Sequence, residues 1–204
     1  AEGIACYRPA LTEALGGVCA SYDAYENGHY AVYATLLDRP GTPLAVTWNG
    51  YHNLQSAVAA ESNGSLWIAW SSNQNDAYRD RWWLTKYVHL RRYDGTAWGD
   101  PVCLPRDYDV YNEDSFQGWE MPEVVVDAAG RVWLFGQSAH TLYAQFYAGN
   151  MWSERFAIDQ RHWGSWKPRV RAAVAPDGTI YLASMGLHGA QLQRLVPAAG
   201  DYTP

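Results

Sequence analysis

The chain of 204 residues lacks the features that mark several common functional classes. Its 15 Lys and Arg are outnumbered by 21 Asp and Glu, its formal net charge is −6, and it has no run of basic residues. This composition argues against nucleic-acid binding, which depends on a basic surface that displaces counterions from phosphates. No apolar stretch approaches the roughly 20 residues that a membrane-spanning helix requires. We therefore expect no nucleic-acid partner and no membrane insertion.

The start of the sequence shows no secretory leader. It opens AEG, with neither the charged nor the apolar region of a signal peptide. A signal peptide is therefore either absent or already removed, unless the sequence begins at an arbitrary boundary.

Cysteine is scarce, with three residues and no CxxC spacing, which argues against a zinc site. Cys6, Cys19 and Cys103 each stand in an apolar, strand-like segment, and this favours buried, inert thiols. One disulfide plus one remaining thiol is the alternative.

The chain also lacks an HExxH motif, a Ser–His–Asp order and paired carboxylates at a defined spacing. No standard catalytic motif is therefore present.

Aromatic residues, by contrast, are abundant: 11 Trp, 15 Tyr and 4 Phe make up 15% of the chain. A Gly-led turn followed by an alternating apolar strand occurs four times. The four copies read GGVCASYD, NGSLWIAWSS, AGRVWLFGQS and DGTIYLASMG, with turn glycines Gly16, Gly64, Gly130 and Gly178. An apolar segment precedes each turn, and a third segment follows it. A short fourth apolar segment follows in the first three copies, as in LAV, VCL and FAI. Four short strands per repeat, joined by Gly turns, are typical of a β-propeller blade.

The repeat predicts an all-β protein, a β-propeller of about four blades, each a four-stranded antiparallel sheet. It forms a single domain over residues 1–204, with blades at 7–48, 54–105, 120–158 and 168–198. The last copy has no clear fourth strand, so residues 2–6 are a candidate to supply it and close the ring. The alternatives are an open arc or a part of a larger propeller, and exposed strand edges would then favour self-association.

A blade cannot bury both of its faces alone, so large residues on its strands should pack against the neighbouring blades. This is the expected role of the aromatic residues that follow the turns, namely Trp67, Trp70, Trp133 and Tyr181.

Blade geometry divides the connections into two groups. Tight Gly, Asn and Asp turns join strands one to two and three to four at one end of the ring. The connections from strand two to three and the crossings between blades lie at the other end. They hold five of the six histidines and six of the eleven tryptophans. Because binding concentrates in loops on a rigid scaffold, this end is predicted to bind a ligand. The predicted ligand-binding residues are Trp48, Asn53, Trp82, Trp83, Trp119, Glu120, His162, Trp163, Trp166 and Arg169.

Aromatic rings beside short polar side chains suit carbohydrate, since sugar C–H faces lie on rings and hydroxyls need donors and acceptors. A protein ligand would need similar residues.

His52 with Tyr51 is the candidate pair for proton transfer. Asp107 and Asp109 are weak candidate calcium ligands, because their stretch lacks the Gly and the final Glu of an EF-hand loop. No other cofactor is predicted.

Three stretches resemble the bacterial-neuraminidase-type repeats of sialidase-like propellers from secreted or surface bacterial proteins. They are SYDAYENGHYAVYATLLD (21–38), SAVAAESNGSLWIAW (56–70) and PEVVVDAAGRVWLFG (122–136). The resemblance implies a propeller fold and an extracytoplasmic location. The S-x-D-x-G-x-x-W pattern of true sialidases is not matched, so the resemblance does not imply sialidase activity.

A second stretch, YHNLQSAVAAESNGSLWIAW (51–70), resembles the blade of propeller polysaccharide lyases that contains an HN pair. That resemblance implies a general base or charge neutraliser at His52, beside Asn53, with a tyrosine as the acid.

Three functions therefore remain open on the sequence. The first is an extracytoplasmic recognition module, not an enzyme, that binds glycan or protein through the aromatic and His-rich end. The second is a polysaccharide lyase or glycoside hydrolase that uses His52. The third is a structural subunit that self-assembles through strand edges.

Overall fold

The computed structural model shows a chain built of β-strands. It describes residues 6–38, 41–48, 50–73, 87–104, 120–138, 141–148, 150–159, 170–186 and 189–197. Within these ranges no helix is present, and so none is long and apolar enough to cross a membrane.

Sixteen strands occur in the described ranges. They are β1 (Cys6–Ala14), β2 (Gly17–Glu26), β3 (His29–Leu36), β4 (Leu44–Ala45), β5 (Asn53–Ala60), β6 (Leu66–Ser72), β7 (Tyr87–Tyr93), β8 (Val102–Cys103), β9 (Glu120–Val126), β10 (Val132–Ser138), β11 (Thr141–Ala148), β12 (Met151–Trp152), β13 (Phe156–Asp159), β14 (Arg171–Val174), β15 (Ile180–Gly186) and β16 (Gly189–Leu195).

The strands form four antiparallel sheets, one for each copy of the repeat, and these are the blades of a four-bladed β-propeller. Blade 1 has the order β1-β2-β3-β4 and blade 2 the order β5-β6-β7-β8. Blade 3 contains β9 to β12 in sequence, with β13 also paired to β11, and blade 4 is β14-β15-β16. The first strands contact one another in succession, β1 with β5, β5 with β9 and β9 with β14. The predicted all-β propeller fold is confirmed.

The paired strands of the four blades span residues 6–45, 53–103, 120–159 and 171–195, and the predicted blade boundaries stay predictions. The short fourth strands expected at LAV, VCL and FAI are β4, β8 and β13. Blade 4 has three strands within the described residues. Residues 2–5 of the proposed closing strand lie outside the described ranges, and Cys6 is the first residue of β1, paired with Ala24. Closure of the ring by the N-terminus therefore stays a prediction.

The repeated glycine closes the turn between the first two strands of each blade. Gly64, Gly130 and Gly178 have φ values of 87°, 78° and 81°, in the left-handed region that suits glycine. In blade 3, the Gly130 amide donates to the carbonyl oxygen of Asp127 at 2.9 Å, and the Asp127 amide donates to that of Arg131 at 3.0 Å. Equivalent bonds close the turns of blades 2 and 4. Blades 2, 3 and 4 therefore repeat the glycine in one type of turn, whereas blade 1 uses Gly16 in a two-residue turn, Leu15 and Gly16, between the paired residues Ala14 and Gly17.

Three apolar clusters join blades 1 and 2, blades 2 and 3, and blades 3 and 4. Trp67, Trp70 and Trp133 are buried in them, so their predicted role between blades is confirmed. Tyr181 is different: it lies on the outer face of blade 4 and is 37% exposed. The prediction for Tyr181 was wrong because no described blade packs against that face.

The cysteine prediction holds for one residue of three. Cys19 is buried between blades 1 and 2, and burial raises the pKa of its thiol to about 11. Cys6 and Cys103 are exposed. Cys6 is the first residue of β1, and Cys103 lies on β8, the short outermost strand of blade 2. All three lie in the described ranges and none forms a disulfide.

The strand register of blade 2 shows which strand ends lie together at the end opposite its Gly turn. Asn53, at the start of the first strand of blade 2, is opposite Ser72 at the end of the second, and Ser72 is opposite Tyr87 at the start of the third. In blade 2, the strand ends that flank the crossing from blade 1 and the connection from strand two to three therefore lie at the same end of the sheet. We call this the loop end, and the opposite end, which carries the Gly turns, the turn end.

Candidate functional site

His52 is held firmly at the loop end, where blade 2 begins. Its amide donates to Asn73 Oδ1 at 2.7 Å, and the Asn73 amide donates back to the His52 carbonyl at 3.1 Å. The amide of Tyr30, in blade 1, donates to His52 Nδ1 at 3.3 Å. Because Nδ1 accepts this bond, the neutral ring carries its proton on Nε2. The imidazole thus bridges blades 1 and 2.

Asn53, next in sequence, is fully buried and anchors the interior of blade 2. Trp70 Nε1 donates to Asn53 Oδ1 at 3.0 Å, and Asn53 Nδ2 donates to the carbonyl of Tyr51 at 2.9 Å. Both ends of the amide are used, so Asn53 orients Trp70 and fixes the backbone of Tyr51. Asn53 thus lies beneath the surface, directly after Tyr51 and His52 in the chain, and the predicted roles of the three residues stay predictions.

Four aromatic rings meet at the loop end of blade 1, and we call them the tyrosine cluster. Tyr30 is at its centre, with ring centroids 4.9 Å from Tyr25, 5.9 Å from Tyr7 and 5.8 Å from His52. Tyr7 and Tyr25 are 41% and 49% exposed. Tyr7 and Tyr25 thus present aromatic rings and phenol groups to solvent, and the contact between Tyr30 and His52 attaches the cluster to blade 2.

A line of polar contacts runs beside this cluster along the first strands, and we call it the axial row. In blade 1, the Arg8 guanidinium lies 3.1 Å from Asp23 Oδ2, and Asp23 is fully buried. The backbone amide of Gln55, in blade 2, donates to Asp23 Oδ1 at 3.2 Å. The Met121 amide of blade 3 lies 3.3 Å from Gln55 Oε1 and 3.1 Å from Ser71 Oγ.

The axial row continues from blade 3 to blade 4. Glu123 is buried, and its Oε2 lies 3.2 Å from Arg171 Nη1. The Ala172 amide donates to Glu123 Oε1 at 3.3 Å. Each buried carboxylate of the row thus has an arginine as counterion, and each also accepts a backbone N–H from the next blade. The row links all four blades without leaving a net charge.

The backbone of the row is strained in the same way in three blades. Arg8, Gln55 and Met121 have φ values of 50°, 61° and 52°, in the left-handed region that residues other than glycine rarely adopt. Each lies beside a register shift between the first and second strands. Strain of this kind persists where the surrounding structure holds it, and it concentrates at binding and catalytic sites.

Trp48, another predicted ligand-binding residue, lies on the crossing from blade 1 to blade 2. Its ring lies against the Arg91 guanidinium, 3.9 Å from the ring centroid, and it is 64% exposed. Arg91 is itself fixed, since its Nε donates to the Gly99 carbonyl at 2.7 Å and its Nη1 to that of Val46 at 3.1 Å. The structure therefore stacks Trp48 on Arg91.

Glu120 is the first residue of β9 and is opposite Gln137. The other predicted residues lie outside the described ranges, and their roles stay predictions. They are the ligand-binding candidates Trp82, Trp83, Trp119, His162, Trp163, Trp166 and Arg169, and the calcium candidates Asp107 and Asp109. The part of the chain that the structure describes holds no group of three or more His, Cys, Asp or Glu side chains that could bind a metal ion.

The axial row was not predicted from the sequence, where Asp23 was not among the candidate residues. Asp23 lies on β2, which continues to Glu26 and connects to β3 through only two residues, Asn27 and Gly28. These have φ values of 50° and 85°. An Asn-Gly pair between two apolar runs signals such a hairpin, and it could have placed Asp23 on a strand.

Comparison with known proteins supports the fold. No family model matches the chain, and no curated protein matches it. Among solved structures, the chain is similar to the endo-arabinase from Bacteroides thetaiotaomicron, with a TM-score of 0.60 at 14% identity over 95% of this chain and 76% of that one. It is also similar to the α-L-arabinofuranosidase PaAbf62A from Podospora anserina, solved in complex with cellotriose. There the TM-score is 0.56 at 12% identity over 95% of this chain and 64% of that one.

A third similar structure is a subtype N10 neuraminidase-like protein of A/little yellow-shouldered bat/Guatemala. Its TM-score is 0.56 at 10% identity, over 94% of this chain and 56% of the other. At such identities the likeness shows the fold alone. The chain thus shares its fold with glycoside hydrolases and with a neuraminidase-like protein.

Proposed function

We propose that this protein is an extracytoplasmic recognition module that binds a neutral glycan at the loop end of its propeller. The observation that carries the proposal is the position of the exposed tyrosine cluster directly beside the axial row. Tyr7 is opposite Asp23 in the sheet, and Arg8, the counterion of Asp23, follows Tyr7 in sequence. Ring surface and fixed polar groups thus stand next to each other.

This combination matches what a sugar presents. The C–H faces of a pyranose or furanose stack on aromatic rings, and its hydroxyls need donors and acceptors in fixed positions. Tyr7 and Tyr25 supply the rings. Arg8 is partly exposed and has five N–H donors, of which Asp23 engages only part, so the others can bind hydroxyls. The entropy cost of binding is reduced because Arg8 is already paired with Asp23 and the rings of Tyr7 and Tyr25 pack against Tyr30.

The electrostatics favour a neutral glycan over an acidic one. Arg8 and Arg171 are each matched by a buried carboxylate within 3.2 Å, so the axial row offers no unmatched positive charge to a uronate. The net charge of −6 adds a weak repulsion of polyanions. Both terms also weigh against a lyase, whose substrates are uronic-acid polymers.

The similar structures agree with a carbohydrate ligand. Two of them are named as an endo-arabinase and an α-L-arabinofuranosidase, the latter in complex with cellotriose. Arabinan and cello-oligosaccharides are therefore the first ligands to try, and the resemblance to secreted bacterial propellers supports the extracytoplasmic location.

The test is calorimetric titration of the protein with arabinan, arabinogalactan, cello-oligosaccharides and polygalacturonate. We expect binding to at least one neutral glycan, and a loss of tenfold or more in affinity for Tyr25→Ala, because stacking on its exposed ring is removed. Tyr181→Ala is the matched control, since Tyr181 is a similarly exposed tyrosine on blade 4, away from the cluster. Absence of binding across the panel, or equal loss in both variants, would refute the proposal.

A glycoside hydrolase is the second candidate, and the observation in its favour is the pair of buried carboxylates, Asp23 and Glu123, on one row. Glycosidases use two carboxyl groups, one of which must hold a proton to act as the acid. Here each carboxyl group is already engaged by an arginine, at 3.1 Å for Asp23 and 3.2 Å for Glu123, which favours a binding role over this chemistry. Release of reducing ends from arabinan that Glu123→Gln abolishes would establish hydrolysis.

The lyase hypothesis has its own assay. Unsaturated product from a uronic-acid polymer absorbs in the ultraviolet, and its appearance with the wild type but not with His52→Ala would support a base at His52. Because Nδ1 already accepts the Tyr30 amide, only Nε2 could take part in proton transfer. We expect no such product.

A further inference from the structure

The three interfaces between blades that the described residues form each join the same two kinds of face. The forward face of a blade carries the third residue after its turn glycine, such as Trp67 and Trp133. The backward face carries the second and fourth residues, such as Leu66 and Ile68 in blade 2. The cluster between blades 2 and 3 joins Trp67, Ala69 and Leu90 of one forward face to Val124 and Leu134 of the next backward face.

The other two clusters follow the same rule. Between blades 1 and 2, the forward residues Cys19 and Ala34 meet the backward residues Val58 and Ile68. Between blades 3 and 4, the forward residues Trp133 and Phe135 meet the backward residues Ile180 and Leu182, with Ala172 packed beside them. The chain thus builds one type of interface three times.

Two faces take no part in the clusters of the described residues, the forward face of blade 4 and the backward face of blade 1. On blade 4, Leu192 is opposite Ala183 and is 72% exposed. The residue in the same position of blade 2, Leu90 opposite Ala69, is completely buried. The corresponding residues of blades 1 and 3, Ala34 and Ala144, are buried as well.

The backward face of blade 1 shows the same contrast. Leu11 is opposite Ala20 and is 62% exposed. The residues in its position in blades 2 and 3, Val58 and Val124, are buried. A single exposed leucine is ordinary, but each of these two leucines is exposed at a repeat position that the internal interfaces bury, on a face of the kind that those interfaces cover.

The charges on these two faces are complementary. Arg194 is exposed on the forward face of blade 4, opposite Tyr181. Glu13 is exposed on the backward face of blade 1, opposite Val18. Both stand close to the turn end of their blades, so the two faces carry opposite charges near the same end.

We propose that the forward face of blade 4 binds the backward face of blade 1 of a second copy of this chain, so that the molecules stack head to tail. The occupant is a second copy because the chain itself carries both halves of the interface that it repeats internally. Such a contact is heterologous: it leaves one face of each kind open on every dimer, so it builds larger rings or open chains.

The experiment measures molar mass by light scattering over a concentration series, with Leu11→Asp and Leu192→Asp as separate variants. Wild type is expected to exceed the 22.9 kDa of one chain increasingly with concentration. Each variant alone should stay at one chain, because a buried aspartate blocks one half of every contact. Mixing the two variants should give a complex of two chains and no larger species, since one intact face remains on each partner.

The mixture also controls for folding, because misfolded variants could not complement each other. Wild type that stays at one chain throughout would overturn the proposal and would leave the two faces to another protein or to each other in a closed ring. Assembly that persists in the double variant would also overturn it, by placing the contact elsewhere. Neither result would bear on glycan binding, which Tyr25→Ala tests at the loop end.

Discussion

In blades 2 and 3, a carboxylate of the Gly turn accepts a hydrogen bond from a tryptophan of the second strand, and we call this contact the lock of the blade. In blade 2, Trp67 Nε1 donates to Glu61 Oε1 at 2.6 Å. In blade 3, Trp133 Nε1 donates to Asp127 Oδ2 at 2.8 Å. Acid and indole are six residues apart in both, one more than in the S-x-D-x-G-x-x-W pattern. This difference explains why the turns repeat although the sialidase pattern does not match.

Removing the blade 2 lock should lower stability at neutral pH. Hydrogen bonds from Arg92, together with the one from Trp67, lower the pKa of Glu61 from 4.5 to about 2. Because the folded-state pKa is the lower one, the carboxylate stabilises the fold above pH 4.5, and this contribution is lost as the pH falls toward 2. We expect Glu61→Gln to cost roughly 1–3 kcal/mol at pH 7, and much less at pH 3, by urea unfolding.

Asp94→Asn is the control for this effect. Hydrogen bonds within its own turn, chiefly from the Ala97 amide, also lower the pKa of Asp94 to about 2, but its carboxylate is fully exposed. Its replacement should therefore cost less than that of Glu61. Equal stability of Glu61→Gln and wild type at pH 7 would show that the lock does not stabilise the turn.

His89 should make the fold sensitive to mild acid. It is buried against Trp70, with ring centroids 5.5 Å apart, and its Nε2 has no hydrogen-bond partner among the described residues. Burial lowers its pKa from 6.5 to about 4. The unfolded chain therefore binds the proton more tightly, and stability falls as the pH drops from 6.5 to 4, by up to about 1.4 kcal/mol per pH unit.

Replacing the imidazole isolates the contribution of His89 to the pH dependence of stability. His89→Phe keeps a ring against Trp70 and cannot be protonated, so its stability should change less between pH 6.5 and pH 4 than that of wild type. Urea unfolding at pH 7, 5.5 and 4.5 measures the difference. Parallel pH profiles for the two proteins would assign the acid sensitivity to other groups.

At the scale of the strand, the first strand of blades 1, 2 and 3 shares a bulge with a left-handed residue. In blade 3, that residue is Met121, whose φ is 52° and whose amide is held by Gln55 Oε1 and Ser71 Oγ. Three bulges in equivalent places indicate that the strain belongs to the blade design. They turn the start of each first strand so that its polar groups meet the next blade.

A pair of substitutions at Met121 tests this strain. A β-branched residue in the left-handed region clashes with its own backbone, so Met121→Val should destabilise the protein by about 1–2 kcal/mol. Met121→Gly removes the Cβ and should cost less, although it loses the same thioether contacts. Thermal unfolding of both variants gives the comparison. A larger loss for glycine than for valine would mean that side-chain packing outweighs backbone strain.

The sequence predicted the strands well and the polar row poorly, for one physical reason. Strands and turns are local: an alternating apolar pattern after Gly64 or Gly130 suffices to place them. The contact of Asp23 with the Gln55 amide joins residues of two blades, and no spacing in the sequence reveals it. Likewise, burial of Trp67 follows from the repeat, whereas exposure of Tyr181 depends on which blade has a neighbour.

At the scale of the whole molecule, the propeller is a stack in which each blade is stabilised by the next. Blades 2 and 3 have both faces covered by apolar clusters, whereas blades 1 and 4 each contribute one face to the clusters of the described residues. Stability in such arrays is a sum of terms from the blades and from their interfaces. The end blades should therefore be the first to open, and the interior interfaces should hold most of the stability.

Replacing leucine by alanine at one position of the repeat should accordingly lower stability much more in an interior blade than in an end blade. Leu90 is completely buried between blades 2 and 3, and Leu192 occupies its position on the outer face of blade 4. Leu90→Ala removes apolar contacts and leaves a cavity, so it should cost about 2–5 kcal/mol. Leu192→Ala removes a side chain that is already in water and should change stability by about 0.5 kcal/mol or less. Urea unfolding at a concentration low enough to keep single chains measures both. A large cost at Leu192 under these conditions would mean that the chain covers its own blade 4, and the stack would then close within one molecule.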